Sequence, residues 1–66
     1  MKIQVNGEAK DVPEGTTVRR LVEILGLTDG PVAVEKNGEI VRRAQHVTEA
    51  LAEGDVVEIV HFVGGG

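Results

Sequence analysis

The chemically useful residues of this sequence are concentrated at its end, where it finishes HFVGGG. Glycine has no Cβ, so Gly64, Gly65 and Gly66 can adopt backbone conformations forbidden to other residues and enter a slot too narrow for side chains. Three extended residues span about 10 Å, at ~3.3 to 3.6 Å each. The segment is therefore long enough to reach into a neighbouring enzyme while a folded body stays outside.

The carboxyl group of Gly66 supplies a reactive atom. An α-carboxyl has an unperturbed pKa of about 3.3 to 3.7 and is an ionised nucleophile at neutral pH. It can attack the α-phosphate of ATP and give an acyl-adenylate, whose carbonyl a sulfur or amine nucleophile can reach because no side chain shields it. The alternative is an inert end, since chain termini fray routinely.

No second constellation of reactive residues accompanies the glycines. The chain has no cysteine, which excludes a disulfide, a thiolate metal site and a thiol nucleophile. His46 and His61 are its two histidines, and neither stands in an Asp/Ser or Cys constellation. We expect both to be surface or half-buried residues, with no metal site and no catalytic role.

Length and composition indicate one small globular domain. A chain of 66 residues buries only roughly 60% of its unfolded surface, so it has no wall residues to spare for a substrate pocket and is not expected to be an enzyme. The 41% hydrophobic and 27% charged residues exclude disorder. The net charge of −4 disfavours nucleic acid and favours a basic or neutral partner surface. No signal-like start or membrane-length apolar run is present, which predicts a cytoplasmic protein with no membrane partner.

Two Asn-Gly pairs predict β-hairpins. KIQV and residues 8–12 flank Asn6-Gly7, and VAVEK and EIVRR flank Asn37-Gly38. Asn and Gly tolerate the positive φ of a type I′ turn, which joins two antiparallel strands. Near the end, Gly54-Asp55 leads into VVEIVHFV, a run typical of a strand inside a sheet.

Between the hairpins, the sequence predicts one helix of about ten residues. Val18, Leu21, Val22 and Leu25 recur at i, i+3, i+4 and i+7, which makes one apolar stripe. Thr16 or Thr17 can cap its first turn, and Gly26 can end its last. Residues 44–53 are ambiguous between a short helical turn and irregular chain.

The last strand presents different residues on its two faces. Val57 and Ile59 are assigned to the core, because Glu58 on the opposite face would be costly to bury unpaired. Glu58, Val60 and Phe62, the last being the only aromatic residue, then lie on the open face beside the glycines. This set predicts a docking patch, although Phe62 could instead fold over the edge of the core.

The acidic residues that precede this strand can be interpreted in two ways. Glu49, Glu53 and Asp55 are expected to form a solvated surface, or alternatively part of an electrostatic match to a basic partner.

The element order predicts an α+β fold of the β-grasp type, with a mixed sheet of four to five strands packed on one helix. The most apolar strands are the first and the last, which places them side by side and parallel at the centre of the sheet. Residues 1–63 then form a single domain, and residues 64–66 form a flexible C-terminal tail.

The whole chain resembles the ThiS family, small ubiquitin-like sulfur carriers of thiamine (thiazole) biosynthesis. The resemblance rests on the start MKIQVNGEA, the central VAVEKNGEIVRR, the segment EGDVVEIV and above all the ending VHFVGGG. The family commonly ends in two glycines and this chain has three, which we interpret as added reach.

The resemblance implies a cycle of activation and sulfur transfer. A ThiF-like adenylating enzyme would use ATP and magnesium to activate Gly66, and a cysteine desulfurase or rhodanese-type protein would supply sulfur to form a thiocarboxylate. A ThiG-like thiazole synthase would then take the sulfur. Gly64 and Gly65 would be the threaded tail, Glu58, Val60 and Phe62 would belong to the docking face, and the carrier itself would bind no cofactor.

Other carriers and a passive binding module remain as alternatives. The small subunit of molybdopterin synthase, a carrier for tRNA thiolation and a ubiquitin-like conjugating protein all use the same activated carboxylate. A β-grasp module without covalent chemistry would not need its terminal glycines at all.

Overall fold

The computed structural model describes residues 1–62. Its elements follow the predicted order of hairpin, helix, hairpin, irregular segment and strand. They are β1 Lys2–Val5, β2 Glu8–Asp11, α1 Val18–Ile24, β3 Val32–Lys36, β4 Glu39–Val41, a 3₁₀ helix Arg43–Gln45 and β5 Val56–His61. The flexible tail predicted for residues 64–66 lies outside the described residues, as does residue 63.

The strands form one mixed sheet in the order β2-β1-β5-β3-β4. β1 and β5 are parallel neighbours, as predicted, and the other adjacent pairs are antiparallel. β5 is the central strand and is paired on both sides. The end of the described chain therefore leaves the middle of the sheet, not its edge.

Both predicted hairpin turns are confirmed. Asn6 and Asn37 have φ of 49° and 53°, and the glycines that follow each have φ of 84°. Positive φ at both central residues is the requirement of a type I′ turn, whose twist matches that of the two strands it joins.

The helix has seven residues, fewer than expected. Thr17 caps it, its hydroxyl accepting a hydrogen bond from the Arg20 nitrogen at 3.1 Å. At the other end, Gly26 (φ 71°) closes the helix early: its nitrogen donates to the Glu23 carbonyl, and the Leu27 nitrogen donates to the Val22 carbonyl, both at 3.0 Å. These two bonds are a Schellman motif, so Leu25 is the C-cap of the helix and not part of a further turn.

The helix packs across one face of the sheet. Its inward residues are fully buried against the central strands, and the side chains with the least exposure are Val18, Leu21, Val22, Val34 and Val57. Burial of a side chain of this kind contributes about 1.5–3 kcal/mol, so this contact holds the domain together. The predicted α+β arrangement of a mixed sheet on one helix is confirmed. Neither helix within residues 1–62 is long and apolar enough to cross a membrane.

The segment that was ambiguous in the sequence crosses the start of the helix. After the 3₁₀ helix, the carbonyls of His46 and Glu49 accept hydrogen bonds from the Arg19 and Val18 nitrogens at 2.8 and 2.9 Å. Ala50 forms an isolated bridge with Thr17. The segment therefore satisfies helix donors that have no partner within the helix.

Two expectations about this region are wrong. His46 is buried, and its ring Nε2 lies 3.0 Å from the Val41 carbonyl, because the segment folds over the edge of the core. Asp55 is buried instead of solvated, since its carboxylate accepts hydrogen bonds from Asn37 Nδ2 at 3.0 Å and from the Ala52 nitrogen at 2.8 Å.

Candidate functional site on the open face of the sheet

The face of β5 that points away from the helix carries the residues assigned to it from the sequence. Val57 and Ile59 are buried, whereas Glu58 is exposed and Val60 and Phe62 are 55% and 53% exposed. Phe62 is therefore not folded into the core, which was the alternative.

Neighbouring strands extend this exposed face. Ala33 lies opposite Val60 and Glu35 lies opposite Glu58 in the β3–β5 ladder, and Ile40 lies opposite Glu35 in the β3–β4 ladder. Ile40 is 76% exposed. We call the resulting surface the open-face patch, and its residues are Ala33, Glu35, Ile40, Val56, Glu58, Val60 and Phe62.

The sequence predicted only Glu58, Val60 and Phe62, and the other residues of the open-face patch were missed. The second arm of the second hairpin contains both Ile40 and Val41, and adjacent strand residues point to opposite faces. Because Val41 is buried, Ile40 must lie on the open face. The alternation was visible in the sequence, but only the register of β3 against β5 shows that Ile40 joins the same surface.

The start of the C-terminal segment is held by the loop that precedes β3. The Phe62 nitrogen donates to the Pro31 carbonyl at 3.0 Å, and the His61 ring Nε2 lies 3.1 Å from the Asp29 carbonyl. Between them, Gly30 has φ of 119°, and a Cβ built there would lie 2.9 Å from the Phe62 carbonyl oxygen. The loop can therefore approach the end of β5 this closely only with glycine at position 30.

The two hairpin asparagines hold β5 from both sides. Asn6 Oδ1 accepts from the Ile59 nitrogen and Asn6 Nδ2 donates to the Ile59 carbonyl. On the other side, Asn37 Oδ1 accepts from the Val56 nitrogen at 2.9 Å, and the Asn37 nitrogen donates to the Val56 carbonyl at 2.7 Å. The start and the middle of the central strand are thus each tied to a turn.

Two charged residues beside the turn at Asn37, Lys36 and Asp55, have shifted pKa values. Burial alone would raise the pKa of Asp55, but hydrogen bonds from Asn37 and Ala52, together with the Lys36 charge, lower it overall. The hydrogen bond from Lys36 to Glu49, at 2.6 Å, raises the pKa of Lys36 despite partial desolvation. Asp55 therefore supports the turn at Asn37, and Glu49 is paired with the neighbouring Lys36.

The described residues contain no metal-binding cluster. No group of three or more His, Cys, Asp or Glu side chains within positions 1–62 could hold a metal ion. His46 and His61 each interact with a backbone carbonyl instead. The candidate site is therefore a contact surface that leads to the C-terminal segment, and Gly64, Gly65 and Gly66, the predicted reactive tail, lie outside the described residues.

The five-stranded mixed sheet wrapped on one helix defines this chain as a ubiquitin-like β-grasp domain. Comparison with known families is consistent with that class and narrows it. The ThiS family model matches residues 3–66, so the chain belongs to the ThiS family.

Individual relatives give the same result. The sulfur carrier protein ThiS of Bacillus subtilis is 38% identical over 65 residues, which cover 97% of this chain and 98% of that protein. The crystal structure of the thiamine biosynthesis protein ThiS from Geobacter metallireducens superposes with a TM-score of 0.83 at 35% identity, over the full length of both chains.

Two larger relatives contain a region similar to the whole chain. A thiazole synthase of Magnetococcus marinus is 44% identical over 66 residues, and one of Paramagnetospirillum magneticum is 42% identical over 66 residues. The chain spans only 20% of the length of each of these proteins.

Proposed function

We propose that this protein is a sulfur carrier of thiamine biosynthesis, in which the terminal carboxylate of Gly66 becomes a thiocarboxylate that donates sulfur to the thiazole ring. The observation that carries the proposal is the family match, which runs through the glycines to residue 66. A sulfur carrier of almost the same length among the relatives supports it. The protein is then a co-substrate of other enzymes and not an enzyme itself.

The chemistry proposed at Gly66 has three steps. A carboxylate oxygen attacks the α-phosphorus of ATP, pyrophosphate leaves, and an acyl-adenylate forms, with magnesium on the adenylating enzyme offsetting the phosphate charge. A persulfide sulfur from a desulfurase or rhodanese-type donor attacks the carbonyl carbon and displaces AMP. A thiol then reduces the resulting acyl disulfide, which leaves the thiocarboxylate on the carrier and a disulfide on the donor.

The described part of the chain would contribute docking and positioning. Glu58, Val60 and Phe62 lie on the same face as the start of the C-terminal segment, so an enzyme that receives Gly66 would cover them. The Asp29–Pro31 loop holds the Phe62 backbone and would thereby set the start of the segment that carries Gly64 and Gly65. The proposed partners are a ThiF-like adenylating enzyme and a ThiG-like thiazole synthase.

The larger relatives support the second of these partners. Both relatives are named thiazole synthases, and each contains a region similar to this entire chain. A carrier and a synthase within one polypeptide act at high effective concentration, which is an advantage only if the two domains work together.

The test is the intact mass of the purified protein before and after incubation with a ThiF-like enzyme, ATP, magnesium and a sulfur donor. The mass before incubation must correspond to a free carboxylate on Gly66. Incubation is expected to add the difference between one sulfur and one oxygen atom, and omission of ATP should abolish the change. An unchanged mass, with an enzyme that modifies the Bacillus subtilis carrier in parallel, would refute the proposal.

A further inference from the structure

The centre of the open-face patch carries two like charges. Glu35 and Glu58 are directly opposite each other in the β3–β5 ladder, and both are exposed. Like charges in directly opposed antiparallel positions destabilise a sheet. Within residues 1–62, neither carboxylate forms an ion pair with a basic side chain. The pair therefore weakens the free protein.

Three basic side chains elsewhere in the described chain are paired with carboxylates. Arg19 and Arg20 both contact Glu23, at 3.3 and 3.2 Å, and Lys36 contacts Glu49. The described chain thus neutralises carboxylates on the helix and beside the second turn. The two carboxylates in the middle of the open sheet face take part in none of the ion pairs formed among residues 1–62.

Apolar side chains surround the two carboxylates. Ile40 is beside Glu35 across the β3–β4 ladder, while Val56 and Val60 precede and follow Glu58 by two positions on the same face of β5. All three are at least 39% exposed. A partner that covers them excludes water from the carboxylates, and a basic group placed between the carboxylates then gains much more than it would in bulk solvent.

We propose that the open-face patch docks the thiazole synthase and accepts an arginine of that partner between Glu35 and Glu58. This inference rests on the proposed function for the identity of the partner. A guanidinium group presents five donors in a planar fork and can hydrogen-bond to two carboxylates at once, which an ammonium point charge does less well. Apolar atoms of the synthase cover Ile40, Val56 and Val60.

The charge of the patch argues against other occupants. A second copy of this chain, docked through the same face, would bring the Glu35 and Glu58 carboxylates of both copies together, and like charges at an interface are costly. Nucleic acid and anionic lipid would place phosphates against the same carboxylates. The patch is also continuous along β5 with Phe62, so its occupant lies beside the segment that leads to Gly66.

The experiment measures binding and stability in the same variants, with the purified thiazole synthase of the same genome as the probe. The variants are Glu35→Gln, Glu58→Gln and the double substitution. Glu14→Gln is the matched control, because Glu14 is an exposed loop residue and its loss changes the net charge equally to either single variant. Calorimetric titration gives Kd, and thermal unfolding of the free carrier gives the midpoint.

The two measurements are expected to move in opposite directions. The double substitution removes the repulsion and raises the midpoint of the free carrier by roughly 1 to 8 °C. It also removes the acceptors for the arginine and raises Kd by about tenfold or more. Glu14→Gln changes neither quantity appreciably. If Glu35 and Glu58 had only a structural role, their substitution would lower the stability of the carrier and weaken its binding together.

Each other outcome overturns the inference. The inference is wrong if the double variant binds as tightly as the original protein, if it is less stable or unfolded, or if the carrier sediments as a dimer through this face. The mass test separates the two proposals: a carrier that acquires sulfur while the double variant binds normally refutes only the arginine site. A carrier that neither acquires sulfur nor binds the synthase refutes both.

Discussion

The side-chain amide of Asn6 pairs with both backbone groups of Ile59: Oδ1 lies 2.8 Å from the nitrogen and Nδ2 lies 3.1 Å from the carbonyl oxygen. The Asn6 backbone nitrogen also donates to the Val57 carbonyl at 2.9 Å. The side chain therefore continues the parallel β1–β5 ladder after β1 has ended in its turn. One asparagine thus supplies both the positive φ of the turn and an extra step of sheet.

Replacement of Asn6 separates these two contributions. Asn6→Gly keeps the backbone conformation at low cost but removes both amide hydrogen bonds, which should lower the free energy of unfolding by about 1–3 kcal/mol. Asn6→Ala should cost roughly 1 kcal/mol more, because alanine is strained at φ of 49°. Urea denaturation at constant m-value measures both. A glycine variant as stable as the original protein would show that the amide contributes nothing.

Local sequence signals predicted the parts of the fold that depend on a few adjacent residues. The hairpins follow from the need for positive φ at Asn6 and Asn37, and the two faces of β5 follow from strand alternation around Glu58. Gly26 ends the helix as predicted, but the helix length was overestimated because the Schellman bonds make Leu25 the C-cap and the helix stops at Ile24.

The features that were missed depend on contacts between distant residues. Burial of His46 requires residues 42–50 to cross the helix start, and burial of Asp55 requires the turn at Asn37 to be close. The role of Gly30 was missed as well, because its lack of Cβ is needed only by Phe62, which is distant in the sequence. Such contacts are set by tertiary packing, which leaves no periodic pattern in the sequence.

Gly30→Ala should disturb the end of β5, and Gly15→Ala is its matched control. Both positions have positive φ, 119° and 82°, so alanine is strained at each, at a cost of about 1 kcal/mol. Only at Gly30 would the new Cβ also meet backbone, the Phe62 carbonyl oxygen at 2.9 Å. We expect Gly30→Ala to lower the unfolding free energy by about 1–2 kcal/mol more than Gly15→Ala.

The same two substitutions should also differ in their effect on thiocarboxylate formation, because only position 30 lies against Phe62. If the loop sets the point from which the glycines extend, Gly30→Ala should slow thiocarboxylate formation through kcat while leaving the KM for the carrier nearly unchanged. Gly15→Ala should alter neither. Equal rates for the two variants would show that the loop is structural only, and faster amide exchange at Phe62 in Gly30→Ala would locate the disturbance.

Acid should destabilise the protein through Asp55. The folded-state pKa of Asp55 lies below its ordinary value of 3.8, so this carboxylate stabilises the fold above that pH, and its contribution is lost as the pH falls through the folded pKa. Asp55→Asn should be less stable at pH 7 by about 1 kcal/mol or more, because an amide nitrogen would face one of the donors now held. The stability of the variant should also depend less on pH below about 4 than that of the original protein, because the variant lacks a carboxylate that is protonated in this range.

Urea denaturation from pH 2 to 7 measures this dependence. Glu14→Gln, at an exposed loop position, serves as the control and should keep the pH profile of the original protein. Parallel profiles for Asp55→Asn and the original protein would assign the acid sensitivity to other carboxylates.

Deletion of Gly65 and Gly66 should separate stability from function. The core described within positions 1–62 runs from Ile3 to Ile59, and Gly65 and Gly66 have no side chain to add to it, so the free energy of unfolding should be unchanged within error. The shortened chain would end at Gly64 and fall two residues, about 7 Å, short of the adenylating centre. Neither the mass change nor growth without added thiamine, in a strain that lacks its own carrier, should then be restored. Normal growth on the truncated protein would favour a binding module whose terminal glycines are passive, because a carrier cannot be activated at a carboxylate that does not reach the ATP.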